Sequence, residues 1–246
     1  MIPKTIHYCW FGGKPLPELA VRCMESWRRY CPDYEIVEWN ETNYSIEDAC
    51  QFVLDAYSNA KWAFVSDYVR LDVVYRYGGI YLDTDVELLK CPEEILKDSR
   101  GFLGREQDHS VNTGLGFACE AGEPLLEEMM ALYRSLKFEA DELSDFACPV
   151  INTRILMNHG MTAGDCKQRI NGIDILPTEY LCPENMYTGK SNYTEHTISV
   201  HHYNGSWLSE RERKKIRRMV WIKKRLPESA VAFFRRSLRI MRGAVQ

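Results

Sequence analysis

Gly78-Gly79-Ile80-Tyr81-Leu82-Asp83-Thr84-Asp85 is the stretch on which the reading of this chain turns. Two glycines follow an apolar run with helical spacing over 61–77 (Ala63, Phe64, Val69, Val73, Val74, Tyr77), so a helix ends at Gly78. A short strand, Ile80-Tyr81-Leu82, then runs straight into two aspartates at i and i+2. Side chains alternate along a strand, so both carboxylates leave its end on one side. That pattern suits a hard divalent cation with oxygen ligands, and equally a solvated turn. One helix upstream, Asp67 and Arg70 share a face at i and i+3. Such a pair is either a surface ion pair or a carboxylate held in place to accept hydrogen bonds from sugar hydroxyls.

Outward from that stretch the order is β-α-β. Ile2 to Phe11 reads as a first strand closed by Gly12-Gly13, Glu18 to Tyr30 as a helix, and Tyr34 to Trp39 as a second strand, which predicts a parallel sheet. Later strands are expected over 101–103, 115–118, 173–176 and 197–203, with helices over 124–136 and 152–158. The 246 residues are 45% apolar, enough for one α/β domain with its own core. No window approaches eighteen uncharged apolar residues, and the start leads directly into a strand, so neither a membrane span nor an export signal is expected. Nine scattered cysteines without a C-x-x-C pair read as reduced thiols of a cytosolic protein.

The net charge of −4 hides a division. Residues 209–246 hold thirteen Lys/Arg against three acids, leaving a strongly acidic body over 1–208. Arginines there alternate with Val231, Phe233, Phe234, Leu238 and Ile240, which predicts a basic amphipathic helical tail on an anionic membrane surface. Packing of that tail on the acidic body is the competing reading. Nucleic acid is not expected as a partner, because the body would repel a polyanion.

Three blocks in order, Ile2-Pro-Lys-Thr-Ile-His-Tyr-Cys-Trp-Phe-Gly-Gly13, Ser66-Asp67-x-x-Arg70 through Gly78-Gly79-Ile80-Tyr81-x-Asp83-x-Asp85, and His201-His202-Tyr203-Asn204-Gly205-Ser206-Trp207, resemble glycosyltransferase family 32. The resemblance implies a GT-A fold, a Rossmann-like single domain with a mixed, mostly parallel sheet, and metal-dependent transfer of a hexose with retention. The donor would be a nucleotide-sugar, a uridine diphosphate hexose in preference to guanosine diphosphate mannose. The acceptor would be a glycan or a lipid-linked sugar of surface polysaccharide, and the location the cytoplasmic face of the membrane.

Carried over by position, Trp10 would stack on the base, and Asp67 and Arg70 would hold the donor sugar. Asp83 and Asp85 would bind Mn2+ or Mg2+ and the diphosphate, with Tyr81 touching the nucleotide and Ser206 and Trp207 covering the diphosphate. A third metal ligand would come from His202, or from His201. Adjacent strand residues face opposite ways, so only one of the two can serve. Glu106, Asp108 and Asn112 are loop candidates near the acceptor. A glycan- or lipid-binding module that has lost turnover is the alternative from another class.

Overall fold

The computed structural model describes residues 1–138, 147–185, 189–203, 214 and 218. Ser206, Trp207 and the body of the 209–246 segment lie outside the described residues.

Strand β1 (Thr5–Cys9) is buried over Ile6 to Cys9, as a strand covered on both faces must be. Helix α1 (Glu18–Tyr30) buries Ala20, Cys23, Met24 and Trp27, an i, i+3, i+4, i+7 stripe, and places Arg28 and Arg29 in its last turn, where cations complement the dipole. β2 (Glu35–Trp39) returns parallel to β1, with Thr5 opposite Glu35, so the predicted β-α-β opening is present. After α2 (Gln51–Ser58), α3 (Trp62–Tyr77) crosses the core with ten of the eleven residues over 64–74 buried, Ser66 being the exception. Gly78 ends it at φ +67°, and a β-carbon there would lie 2.9 Å from Pro3. Both constraints favour glycine.

β3 (Gly79–Tyr81) pairs parallel with β1. β4 (Val86–Leu88), α4 (Glu93–Leu96), β5 (Gly101–Gln107), β6 (Ser110–Val111), a 3-10 turn (Thr113–Leu115) and β7 (Phe117–Cys119) follow. Then come α5 (Pro124–Ser135), α6 (Cys148–Asn158), β8 (Gln168–Ile170), β9 (Ile173–Leu176), α7 (Thr178–Leu181) and β10 (Ser199–His201). The main sheet runs β2-β1-β3-β7-β5-β9-β8, with β6 beside β5. β1, β2, β3, β5 and β9 point one way, and β6, β7 and β8 oppose them. The sheet is therefore mixed with a parallel majority of strands, in one α/β domain.

Cores lie on both faces of the sheet. Phe52, Val69, Tyr133 and Ile155, from α2, α3, α5 and α6, pack on one side. Met24, Trp27, Val86, Leu88 and Leu181, from α1, β4 and α7, pack on the other. β4 leaves the main sheet to pair antiparallel with β10. It is held against α1 by Trp27 Nε1, which donates to the Val86 carbonyl at 2.7 Å, and by the Leu88 amide, which donates to Ser26 Oγ at 2.9 Å.

Three expectations are corrected here. The strand before the aspartates stops at Tyr81, so Asp83 and Asp85 sit in a turn closed by the Val86 amide on the Asp83 carbonyl at 3.0 Å. Helix α6 starts four residues earlier than its apolar spacing suggests, with Pro149 suited to a first turn. Finally, 115–118 divides between the end of the 3-10 turn and β7.

Candidate active site

The carboxyl ends of β1, β3 and β5 share one edge of the sheet, where α/β folds place their ligand crevice. Trp10 follows β1 and Asp83 lies just past β3 at that edge, while Glu106 is the penultimate residue of β5. Into it α3 delivers Asp67 and Arg70. Because α3 is buried over residues 67–74, these groups face protein and not water, which excludes the surface ion-pair reading. Arg70 Nη1 lies 3.0 Å from Asp67 Oδ1, and Nη2 lies 3.0 Å from Asp83 Oδ1. The guanidinium sits over the Tyr81 ring, 5.1 Å from its centroid. Its Nε is buried without a partner.

Tyr81 donates its hydroxyl to Asp83 Oδ1 at 3.0 Å, so that oxygen takes both Arg70 and Tyr81. The other oxygen faces Gly114, where an added β-carbon would lie 2.7 Å from Asp83 Oδ2 and 3.0 Å from Asn112 Oδ1. Burial pushes the Asp67 carboxyl up to about 6 against the pull of Arg70, and the Asp83 charge adds to the rise. Burial also raises Asp83, opposed by Arg70 and reinforced by Asp85. Two carboxylates held this way store unfavourable charge that a cation would relieve.

His201 supplies the third corner. β10 sets it opposite Val86, the residue after the aspartate turn, and its Nε2 lies 3.2 Å from Asp85 Oδ1. Burial pulls the imidazole down, but the Asp85 carboxylate outweighs it and the net shift is upward. Ligand atoms of Asp83, Asp85 and His201 all lie within 4.8 Å of one another. Two carboxylates and one imidazole are an apt donor set for Mn2+, and acceptable for Mg2+. His202 is placed elsewhere: its ring meets Glu87 at 2.8 Å on the exposed side, and only its backbone amide touches Asp85. The preference for His202 is thus corrected to His201, as strand alternation requires once His201 faces inward.

Tyr81 is also repositioned. At 1% exposure it props Asp83 and Arg70 from beneath and presents no surface to a nucleotide. Trp10 is half-buried at the rim, its indole N–H held by the Lys14 carbonyl. Asp108 is exposed and pairs with His109 outside the cluster. Asn112 and Glu106, by contrast, are buried beside it. Asn112 accepts from the Gly114 amide at 2.7 Å and donates to Glu106 at 3.2 Å.

Sequence reasoning missed Cys148, Gly114 and Tyr203. Cys148 opens α6 with its thiol donating to Asn112 Oδ1 at 3.0 Å and accepting from Arg70 Nη1 at 3.5 Å. Tyr203 stands edge-on to the His201 ring at 4.2 Å between centroids. Gly114 and Tyr203 each lie two residues from a predicted site residue, Asn112 and His201, whereas Cys148 reaches the site only through long-range contacts that no spacing signal marks.

Residues 17–102, which contain Asp67, Arg70, Asp83 and Asp85, match the family model described as "Glycosyltransferase sugar-binding region containing DXD motif". This chain is thus similar over residues 17–102 to a glycosyltransferase sugar-binding region with a DXD motif. It is 30% identical over 132 residues to inositol phosphoceramide mannosyltransferase 3 of Schizosaccharomyces pombe, covering 52% of this chain and 36% of that one. It is 24% identical over 158 residues to subversion of eukaryotic traffic protein A of Legionella pneumophila, covering 52% of this chain and 24% of that one. The chain thus spans about a third and a quarter of these relatives' lengths. Among solved structures, PaToxG glycosyltransferase superposes with a TM-score of 0.51 at 18% identity, over 64% of this chain and 68% of that one. This likeness shows a shared fold, in agreement with the GT-A arrangement. Trp10, Asn112 and His201 fall outside the matched region; Asn112 and His201 join the site through their contacts with Gly114 and Asp85, and Trp10 through its place after β1.

Proposed function

We propose that this protein transfers a hexose from a nucleotide-sugar to a glycan or lipid-linked acceptor, with retention at the anomeric carbon. Asp83, Asp85 and His201 would hold a divalent cation. The observation that carries the proposal is the unbroken chain from Asp67 through Arg70 to Asp83, ending at a three-residue cluster whose ligand atoms lie within 4.8 Å of one another. A cation bound there supplies Lewis-acid stabilisation of the leaving diphosphate.

The chain's own residues do the rest. Asp67 accepts hydrogen bonds from donor-sugar hydroxyls, and its buried position fixes it before the substrate arrives. Arg70 keeps Asp67 and Asp83 in register and brings positive charge to a site where negative charge grows on the leaving group. Asn112, its amide oriented by Gly114 and Glu106, offers a rigid polar contact on the β5 side. Trp10, half-buried where the chain leaves β1, stacks on the base.

The same reading assigns residues 209–246 to an anionic membrane surface at its cytoplasmic face, where a lipid-linked acceptor would be met. Deleting them is expected to abolish sedimentation with anionic liposomes, and unchanged sedimentation removes that assignment.

The donor is tested with a panel of uridine diphosphate galactose, glucose and N-acetylhexosamines together with guanosine diphosphate mannose, each with manganese or with chelator. The mannosyltransferase name of one relative is the reason mannose stands beside the uridine sugars. One donor is expected to release diphosphate and raise the melting midpoint only with metal. Equal stabilisation by every donor, with or without metal, overturns the proposal. Metal-dependent binding of one donor without any turnover would mark a binding module in place of an enzyme.

A further inference from the structure

Cys31 and Cys91 are 60 positions apart in sequence, yet their Sγ atoms stand 3.5 Å apart. Cys31 is buried at the C-terminal cap of α1, where its amide donates to the Trp27 carbonyl at 2.8 Å. Cys91 is half-buried in the connection from β4 to α4. The two thiols join elements that already dock through Trp27 on Val86 and Ser26 on Leu88. Closing them into a bond asks the sulfurs to approach by only about 1.5 Å, within reach of side-chain rotation.

We propose that Cys31 and Cys91 form a reversible dithiol–disulfide site that staples α1 to the segment following β4, with a small-molecule disulfide such as oxidised glutathione as the oxidant. The half-buried Cys91 thiolate attacks one sulfur of oxidised glutathione, and a glutathione thiolate leaves and takes up a proton. The Cys31 thiolate then attacks Cys91 Sγ, forming the protein disulfide and displacing the second glutathione thiolate. In total, two protein thiols are oxidised and one oxidised glutathione is reduced to two thiols. Burial, its contact with Cys91 and the charges of Asp33 and Glu93 hold the Cys31 thiol well above the ordinary range, so the more accessible Cys91 is the one that meets the oxidant. The bond would pin the strand that presents the Asp85–His201 corner, because β4 pairs with β10.

The site does not rest on the transferase reading, and its test needs no donor. The full chain, fully reduced and freed of reductant, is incubated with excess oxidised glutathione, alkylated, and digested with trypsin without reduction. The expected product joins peptide 91–97 to peptide 30–61 through Cys31. Its formation should raise the melting midpoint by about 5 °C. Cys31→Ser should leave glutathione on Cys91, and Cys91→Ser should show no midpoint rise. Wild-type protein that ends with stable glutathione on Cys91 overturns the proposal. So does a bond from Cys91 to another cysteine, or two untouched thiols while the exposed Cys166 is modified.

Discussion

One helix carries two aspartate–arginine pairs one turn apart, and they have opposite fates. Asp72 and Arg76 form a closed unit: Nε meets Oδ1 at 2.9 Å, Nη2 meets Oδ2 at 2.6 Å, and the Tyr44 hydroxyl donates to Oδ2 at 2.7 Å. The Arg76 side chain is 55% exposed, so water carries part of the pair's charge. Asp67 and Arg70 form an open unit, with the arginine side chain 4% exposed, shared between two carboxylates and left with a spare buried Nε. A satisfied pair adds stability, whereas an over-shared buried pair is held under electrostatic tension that a bound ligand can release. Their spacing in sequence, i,i+3 against i,i+4, does not reveal this. What differs is which end of α3 meets the carboxyl edge of the sheet.

The sharpest test is at the aspartate turn. Asp85→Ala should cut diphosphate release about 10^3-fold or more, and chelator should match it in the unaltered protein. Full activity in the variant would break the distinction between the two ends. Next in size, Arg70→Lys keeps the charge but loses the planar fork that spans Asp67 and Asp83, with an expected loss of about 10^2-fold in kcat/KM. Arg76→Lys should leave kcat/KM unchanged, and equal losses in the two variants would erase the contrast. The histidines extend the comparison to β10. His201→Ala should weaken manganese binding, read by calorimetry, by about 10-fold or more, while His202→Ala leaves it within error.

How far the sequence discloses these outcomes depends on how local each cause is. The β-α-β opening, α1, α3 and the glycine stop at Gly78 follow from periodicity and capping, which act over a few residues, and all are present. Asp67, Arg70, Asp83 and Asp85 lie within nineteen residues of chain, where helix spacing and the strand end pair them two by two. Their joining into one site is implied by the family resemblance. His201 is brought in by a strand pairing across more than a hundred residues, so its facing direction depends on a register invisible in its own neighbourhood. Cys148 arrives at the N-terminus of α6 and Gly114 in a 3-10 turn capped by Asn112. The reading of 83–85 as a strand end reached the right convergence through the wrong cause. A turn, not pleat alternation, brings the carboxylates together.

At the structural end of α3 the expected effects are on stability alone. Asp72→Ala removes the acceptor of the buried Tyr44 hydroxyl and both carboxylate contacts of Arg76. The unpaired hydroxyl sets the scale, about 1–3 kcal/mol in urea unfolding, with diphosphate release by the folded fraction unaltered. A fall in specific activity at full folding would show that the two pairs are coupled along the helix.

A third pair, far from the cleft, calibrates the other two. Asp174 on β9 is 1% exposed in its side chain and is bonded by Arg169, at 2.6 Å, and by Lys167, at 2.8 Å, both about half exposed. Burial pushes its carboxyl up, but the two cations overcome that and hold it below the ordinary aspartate range. With the folded value depressed, the pair's contribution is fully present above the unfolded value of about 3.9 and is lost as pH falls through the folded one, because the unfolded chain then binds the proton more readily. Solvent screening of the exposed partners limits the contribution to about 1 kcal/mol. Asp174→Asn should therefore lower stability by that amount at pH 7 and by less at pH 3, with no change in diphosphate release. A loss that is as large at pH 3 as at pH 7 would mean that packing of the Asp174 side chain, and not its charge, holds the β8–β9 edge together.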